Sequence, residues 1–186
     1  MYHYDKTSGL FTGLKQLPSD NYDQRPAATD ISLIVIHNIS LPPGQFGGEH
    51  IERFFTNRLY CNEHEYCQQL REVRVSPHLL ISRQGEITQF VSCLNRAWHA
   101  GNSAFQGVAN CNDYSIGIEL EGTDNTPYEV IQYQHLVKIC QALMIAYPQI
   151  TQQRIVGHVH IAPERKTDPG PAFAWDFFQH RIKDED

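Results

Sequence analysis

The chain is poor in basic residues and has no long apolar run, and these two absences exclude several classes of protein. It has 15 Lys and Arg against 21 Asp and Glu, for a formal net charge of -6 at pH 7. A nucleic-acid-binding domain would show a basic face, and adhesion to anionic membranes or polymers would need one too. No apolar run approaches the roughly 20 residues that span a bilayer. An acidic ligand would have to be held by local basic residues.

Cysteine is also scarce, and its spacing suggests no pairing. The chain has 5 cysteines, scattered and without a C-x-x-C motif, at Cys61, Cys67, Cys93, Cys111 and Cys140. An odd, scattered set favours reduced thiols over a secreted disulfide framework. The N-terminus shows no basic start followed by an apolar stretch, so we expect no signal peptide. Together these features predict a cytoplasmic location.

Length and composition predict one domain. The 186 residues, 41% of them hydrophobic, suffice for one core and leave little room for a second. We expect one domain over residues 1–186, in which the polar, turn-rich residues 1–30 form an irregular N-terminal wrap and residues 31–186 form the core that carries the chemistry. The order of strands and helices predicts an α/β fold, with a central mixed sheet flanked by helices.

Hydrophobic periodicity places the elements of this fold. An almost uninterrupted apolar run at 31–36 predicts a strand buried on both faces. Residues 114–121 alternate, with the apolar positions toward the core and Ser115, Gly117, Glu119 and Glu121 on the other face. A short helix with Ile51, Phe54 and Phe55 and a hairpin of 79–81 and 87–91 are also expected. A longer helix is predicted from a capping box at Thr126 to a stop at Pro148. A strand at 154–158 and a helix at 172–182 complete the chain. Residues 60–72 are predicted to be irregular.

The segment GHVHIAPERKTDPGP at 157–171 concentrates the most chemistry. It brings an imidazole, an ammonium and a carboxylate close together in sequence and is stiffened by prolines. Residues two apart in an extended segment point the same way, so Lys166 and Asp168 can serve one site. His158 and Asp168 suit a zinc-type metal, which still lacks a protein ligand. His37, which ends the first buried strand, is the best candidate for that ligand.

Neighbouring residues leave alternatives open. His160 rivals His158 as a ligand, but in a strand the two would lie about 7 Å apart, so His158 is preferred. Either Glu119 or Glu121 could act as general base for an attacking water, and Lys166 could stabilise the oxyanion. These residue types together predict a zinc hydrolase.

The RAWHAG segment at 96–101 adds a candidate binding element. Its Trp98 lies beside polar groups that include His99. An exposed tryptophan in such a setting suits stacking on a sugar ring or an apolar side chain. The alternative interpretation is that Trp98 is an ordinary core residue.

Five segments, taken in order, resemble the zinc-dependent N-acetylmuramoyl-L-alanine amidases. They are VIHNISLPPG (35–44), RVS (74–76), RAWHAG (96–101), CNDYSIGIELEGTD (111–124) and KTDPGPAF (166–173). No segment is decisive alone, but the ordered set is highly specific and spans nearly the whole chain. Within that family the chain is similar to cytoplasmic enzymes of wall recycling. Their substrate is a soluble anhydro-muropeptide, cut between the lactyl group of the sugar and L-alanine.

The resemblance implies a role for each candidate residue. The zinc ion (Zn2+) would be bound by His37, His158 and Asp168, with Glu119 rather than Glu121 as the catalytic carboxylate and Lys166 as the oxyanion stabiliser. Substrate would be bound by Asn38, Arg74, Trp98 and His99. Trp98 would lie near the floor of a surface cleft at the strand ends, and the Arg74 guanidinium would hold a peptide carboxylate. The expected partner is this small molecule, bound by a monomer, with no nucleic acid and no membrane.

Two positions depart from the family pattern. Asn110 stands where these relatives usually carry a basic residue before Cys-Asn-Asp, so one substrate carboxylate would be held more weakly. His160 stands where they usually have Asp, which bears on the choice of metal ligand. Two other functions are weighed against the first: an amidase that acts on polymeric peptidoglycan, and a non-catalytic recognition module, which typically loses a metal ligand.

Overall fold

The structure, a computed structural model, describes residues 2–59 and 65–183, with the backbone alone for residues 65–67. Its strands there are Tyr4–Asp5 (β1), Leu10–Phe11 (β2), Lys15–Gln16 (β3), Tyr22–Gln24 (β4), Leu33–Ile39 (β5), Leu79–Ile81 (β6), Ile87–Gln89 (β7), Asn95–Ala97 (β8), Ala104–Phe105 (β9), Val108–Ala109 (β10), Ser115–Glu121 (β11) and Ile155–Gly157 (β12). The α-helices are His50–Phe55 (α1), Glu65–Leu70 (α2), Val130–Ala146 (α3), His158–Ile161 (α4) and Trp175–Arg181 (α5). Within these ranges, every helix is too short or too polar to cross a bilayer.

Six of the strands form a mixed central sheet in the order β12-β5-β11-β6-β7-β3. β5 pairs in parallel with both β11 and β12, and β11 pairs in parallel with β6. β6 and β7 form the predicted hairpin, and β3 adds a parallel edge strand to β7. Helices pack on this sheet, so the predicted α/β fold with a central mixed sheet is confirmed.

The two faces of β5 and β11 bury different kinds of side chain. Ile34, Ile36, Ile116, Ile118 and Leu120 lie in one core with the buried stripe of α3. Leu33 and Val35 lie on the opposite face, in a second cluster with Ala100 and Ile161. Because successive residues of a strand alternate in direction, the odd-numbered polar residues of both strands share this second face. The predicted phase of β11 is therefore confirmed.

Helix α3 begins later than the sequence predicted. Its N-cap is Glu129, in a capping box with Gln132, and not Thr126. The Thr126 backbone N–H donates to Thr123 Oγ1, and the two hydroxyls bond to each other. Thr126 is held in this turn, so its hydroxyl does not cap the helix. The helix ends at Ala146, two residues before Pro148, as predicted.

Short elements account for the other differences from the sequence prediction. The segment predicted to be an irregular wrap contains four short strands, because β1 to β4 lie within residues 2–30 and β4 pairs with β8. Strands of two or three residues carry too little periodicity to be recognised. Within 60–72, predicted to be irregular, α2 occupies 65–70, and residues 60–64 lie outside the described ranges. The strand predicted at 154–158 ends at Gly157, and the last helix, α5, is shorter than 172–182.

Candidate metal centre and active site

Parallel pairing brings chemically active side chains to one edge of the sheet. The register of β5 and β11 places Glu119 opposite His37. β12 pairs its last residue, Gly157, with Ile36, so His158 follows at the same edge. Ligand sites of open α/β sheets lie at the carboxyl ends of the strands. Three adjacent strands thus deliver two imidazoles and a carboxylate to that edge.

The three predicted metal ligands converge there. His37 Nδ1 lies 3.0 Å from His158 Nδ1 and 3.0 Å from Asp168 Oδ2, and His158 Nδ1 lies 3.1 Å from the same oxygen. Both imidazoles are buried. Three electron-pair donors at this spacing repel one another unless a proton or a cation lies between them. Two histidines and one carboxylate are a donor set for zinc that leaves a fourth position open.

His160 takes no part in this cluster. The chain leaves the strand at Gly157 and turns into α4, so residues 158 and 160 point about 200° apart around a helix. His160 Nδ1 accepts a hydrogen bond from Gly157 N at 2.9 Å, and its ring packs on Trp175. The prediction that His158 and His160 lie about 7 Å apart in a strand is therefore wrong, because the segment is helical.

The loop that carries Asp168 is braced by its neighbours. A Cβ on Gly157 would lie 2.6 Å from Pro169 Cδ, so only glycine lets this loop approach β12 so closely. The Asn38 amide donates to the Pro169 carbonyl at 3.2 Å and to Asp124 Oδ1 at 2.9 Å. Asn38, predicted to bind substrate, thus uses its amide donor to position the Asp168 loop.

Two residues that the sequence analysis missed support the same loop. The Tyr128 hydroxyl donates to the Pro169 carbonyl at 2.7 Å. Gly170 packs directly on Asp124, because a Cβ at position 170 would lie 2.2 Å from Asp124 Cα. The glycine in the Pro-Gly-Pro turn was a usable signal of this close approach. Nothing in the sequence distinguishes Tyr128 from an ordinary core tyrosine.

Each histidine of the cluster has a partner on its other ring nitrogen. His158 Nε2 donates to the Ala100 carbonyl at 3.1 Å, so in the neutral ring the lone pair lies on Nδ1, toward the cluster. His37 Nε2 lies 2.9 Å from His99 Nδ1. Burial lowers the pKa of His37 to about 4, so its ring is neutral at pH 7. Neutral rings oriented by such partners are what metal coordination requires.

Glu119 lies beside the cluster with one oxygen unpaired. Its Oε2 is buried and has no hydrogen-bond partner among the residues that the structure describes. Burial, and next the charge of Asp168, raise the pKa of Glu119 well above its usual range, while Lys166 acts in the opposite direction. A carboxylate of raised pKa that faces a cavity is suited to proton transfer. An unsatisfied buried oxygen also indicates that a ligand or ion completes this site.

Two cavities meet at the cluster. One of about 260 Å³ contains Glu119 and all three predicted ligands, with a largely apolar wall of Phe54, Phe55, Leu70, Val73, Val75 and Trp98. The other, of about 500 Å³, is lined by polar groups that include Ser40, Thr123, Asn125, Arg165 and Thr167. Asn38, Lys166 and Asp168 border both. The predicted surface cleft at the strand ends is thus present, with the cluster at its centre.

The remaining predicted residues lie at different distances from this cleft. Trp98 and His99 line the smaller cavity, but both ring nitrogens of His99 bond within the protein, to His37 and to Ser115 Oγ. Arg74 is exposed, is not part of either cavity wall, and donates to the Arg71 carbonyl at 2.8 Å. Trp98 is therefore placed to contact a ligand directly, whereas Arg74 would have to reorient.

The fold and the cluster together describe a hydrolase-type site, and comparison with known proteins identifies the family. Residues 27–171 match the N-acetylmuramoyl-L-alanine amidase family. The chain is 48% identical to the 1,6-anhydro-N-acetylmuramyl-L-alanine amidase AmpD of Haemophilus influenzae, over 96% of this chain and 97% of that protein. This chain belongs to the N-acetylmuramoyl-L-alanine amidase family.

Solved structures agree with that assignment. A crystal structure of an AmpD selenomethionine derivative superposes with a TM-score of 0.92 at 49% identity, covering 97% of this chain and 99% of that one. The amidase AmiD from E. coli, in complex with anhydro-N-acetylmuramic acid-L-Ala-D-gamma-Glu-L-Lys, gives a TM-score of 0.60 at 30% identity. That match covers 85% of this chain and 60% of AmiD.

Proposed function

We propose that this protein is a zinc-dependent hydrolase that cleaves the amide between the lactyl group of 1,6-anhydro-N-acetylmuramic acid and L-alanine in soluble muropeptides. The observation that carries the proposal is the convergence of His37, His158 and Asp168 beside Glu119, whose buried Oε2 has no hydrogen-bond partner among the described residues. The names of the AmpD relatives support the substrate, and near-complete coverage of both chains supports transfer of that activity to the single domain of residues 1–186.

The zinc ion would be held by His37 Nδ1, His158 Nδ1 and Asp168 Oδ2. Zinc bound by these groups supplies Lewis-acid activation of water and of the amide carbonyl. The donor set fits zinc, since both rings are oriented by partners on Nε2 and the carboxylate offers the third ligand. The three residues that would hold zinc line the cavity in which the substrate would bind.

Glu119 and Lys166 would carry out the proton and charge chemistry. Glu119 takes a proton from the attacking water and later gives it to the nitrogen of L-alanine as the C–N bond breaks. The products are the free lactyl carboxylate and the peptide amine. The Lys166 ammonium, at the junction of the two cavities, stabilises the negative charge that develops on the carbonyl oxygen.

The cleft would divide the substrate between its two cavities. The sugar would pack on Trp98. Because both ring nitrogens of His99 bond within the protein, His99 would contact the substrate only through its ring carbons. Asn38 would contact the substrate at the junction, and Arg74 would reach a carboxylate of the stem peptide from outside. Asn110, in place of a basic residue, would leave another carboxylate more weakly held. The net charge of -6 fits an enzyme that acts on small soluble fragments and binds neither nucleic acid nor membrane. We further propose that it acts as a monomer in the cytoplasm.

Mass spectrometry of the reaction products tests this proposal. The zinc-loaded protein is incubated with an anhydro-muropeptide and, in parallel, with intact peptidoglycan sacculi at physiological salt. We expect release of the free stem peptide from the muropeptide, at a rate far above that on sacculi. Comparable rates on sacculi would identify a wall-lytic amidase. Binding without cleavage would identify a recognition module.

A metal titration tests the zinc site separately. The parent should bind about one zinc ion per chain, and His37→Ala, His158→Ala and Asp168→Ala should each lose most of that affinity. The matched control is His160→Ala, whose ring lies outside the cluster and should leave zinc loading intact. Full loading in His158→Ala with loss in His160→Ala would contradict the assignment.

A further inference from the structure

We propose that His99 is a positioning residue for the metal centre: it accepts a hydrogen bond from His37 and thereby directs the lone pair of His37 Nδ1 toward the metal. The inference rests on the proposed zinc site and assigns a role to a side chain that contacts a proposed ligand at the ring nitrogen away from the metal. His99 Nδ1 lies 2.9 Å from His37 Nε2, and the two rings meet edge to face.

The number of hydrogens on a neutral imidazole determines whether His37 or His99 is the donor in this bond. A neutral imidazole carries one N–H, so a donor at one nitrogen is an acceptor at the other. If His37 Nε2–H donates to His99, His37 Nδ1 is left unprotonated toward His158 and Asp168. If His99 donated instead, a His37 N–H would point at the other ligands and oppose a bound cation.

Ser115 provides the other end of the chain of bonds. Its Oγ lies 3.1 Å from His99 Nε2 and accepts the N–H that this arrangement leaves there. Ser115 is the first residue of β11, on the same face as Glu119, and is fully buried. The order of bonds is therefore His37 to His99 to Ser115, with one hydrogen in each link.

The strand is built to admit the His99 ring. A Cβ on Gly117 would lie 2.4 Å from His99 Cγ, so any other residue at position 117 would displace the ring. Gly117 has no positive φ angle to explain it, and the close approach is its structural reason. Because Gly117, between Ser115 and Glu119, has no side chain, there is space for the His99 ring that bonds to His37.

The His99 backbone is held independently of its side chain. Its N–H and that of Ala100 both donate to Asn112 Oδ1, at 3.1 and 2.8 Å. Substitution of the ring therefore leaves the loop anchored. An effect of the His99 ring on zinc binding can therefore be measured separately from an effect on folding.

The test compares His99→Phe with His99→Asn. Phenylalanine fills the space without a nitrogen, whereas asparagine places an oxygen acceptor near the position of Nδ1. Zinc affinity is measured by competition with a chromophoric chelator, with thermal unfolding as the check on folding. Loss of an outer partner of a ligating histidine typically lowers metal affinity by about 10–100-fold, so we expect that loss in His99→Phe and recovery of most of it in His99→Asn. The matched control is His135→Phe, a histidine on α3 bonded to Tyr2, and it should leave zinc affinity unchanged.

A second measurement uses the unmodified protein. Long-range proton–nitrogen NMR of the zinc-loaded chain reports which ring nitrogen of His99 carries hydrogen, and we expect Nε2–H with an unprotonated Nδ1. Unchanged zinc affinity in a folded His99→Phe, or an Nδ1–H tautomer of His99, would overturn the inference. If His99→Phe does not fold, the NMR result on the parent decides alone. Zinc that the parent fails to bind, or that His37→Ala retains, would instead overturn the proposed metal site.

Discussion

Two glutamates on β11, two residues apart and on the same face, have opposite surroundings. Glu121 is buried, and its two oxygens accept hydrogen bonds from the backbone N–H groups of Gly47 and Arg83. Glu119 has a buried Oε2 with no partner in the described part of the chain. The first carboxylate fixes a glycine-rich loop to the sheet, and the second is free to exchange a proton. Glu119 and Glu121 have the same side chain and lie on the same face of the strand, so their hydrogen-bond partners are what distinguishes their roles.

This difference corrects one expectation from the sequence. Glu119 and Glu121 were both candidates for the general base because they share the non-core face of one strand, and the family resemblance favoured Glu119. The structure covers that face with the loop around Gly47, so Glu121 is a buried anchor with both oxygens occupied. Because both of its oxygens already accept backbone hydrogen bonds, this carboxylate has no free oxygen to accept a proton from water.

The largest effect is expected at Glu119. Glu119→Gln keeps the shape and removes the proton acceptor, so kcat should fall by about 10²–10⁴-fold. Zinc content, measured by atomic emission, should remain near that of the parent, because Glu119 is not among the proposed ligands. A Glu119→Gln enzyme with kcat near the parent value would show that the unpaired oxygen has no part in proton transfer.

Lys166 gives the next effect and a change in pH profile. Lys166→Met should lower kcat by about 10²–10³-fold through loss of oxyanion stabilisation. The Lys166 charge lowers the pKa of Glu119, so its removal favours the protonated form of that carboxyl. The acidic limb of the kcat profile should therefore move to higher pH than in the parent. A limb that stays in place or moves to lower pH would contradict the coupling of these two groups.

Glu121 should affect stability more than catalysis. Glu121→Gln offers one acceptor oxygen where the carboxylate offers two, so one buried N–H of Gly47 or Arg83 loses its partner. Such a loss costs about 1–3 kcal/mol, measurable by urea unfolding of the zinc-loaded protein, while kcat stays within about tenfold of the parent. If Glu121→Gln were instead as inactive as Glu119→Gln, the roles of the two glutamates would be exchanged.

The smallest effect is expected at Arg74, a charged group that is exposed. Contacts between exposed charges contribute about 0.2–1 kcal/mol, so Arg74→Ala should lower kcat/KM by about fivefold at most. The loss should be confined to muropeptides with a long acidic stem and absent with L-alanine alone after the sugar. An equal loss on both substrates would mean that Arg74 only supports its own loop.

Prediction from the sequence was accurate for long elements with a clear periodicity and for residues whose type and position at a strand end indicate their chemistry. The seven-residue strand β11 and the end of α3 before Pro148 were both predicted, because alternation and a helix-stopping residue are local signals. The three members of the metal cluster were selected from residue type and strand-end position. The meeting of the two histidines depends on the parallel pairing of β5 with β12, which the sequence did not predict.

Two local turns, one contact between distant segments and several very short strands account for what was missed. The turn of Thr123 with Thr126 delayed the start of α3, and the turn after Gly157 placed His158 on a helix. The burial of Glu121 depends on a loop that lies far from it in sequence. Strands as short as β1 to β4 have no period to detect. Of these differences, only the burial of Glu121 depends on partners outside the window that a local pattern covers.

The position of β5 at the centre of the parallel strands has a consequence for synthesis of the chain. Both of its neighbours come later, at residues 115–121 and 155–157, and the two clustered histidines are separated by 121 positions. A chain emerging from the ribosome therefore carries an apolar strand with neither edge paired, which is the kind of species that aggregates or recruits chaperones. The catalytic centre is assembled only after residue 168 has emerged. Prematurely terminated chains consequently expose this strand without gaining any hydrolytic activity.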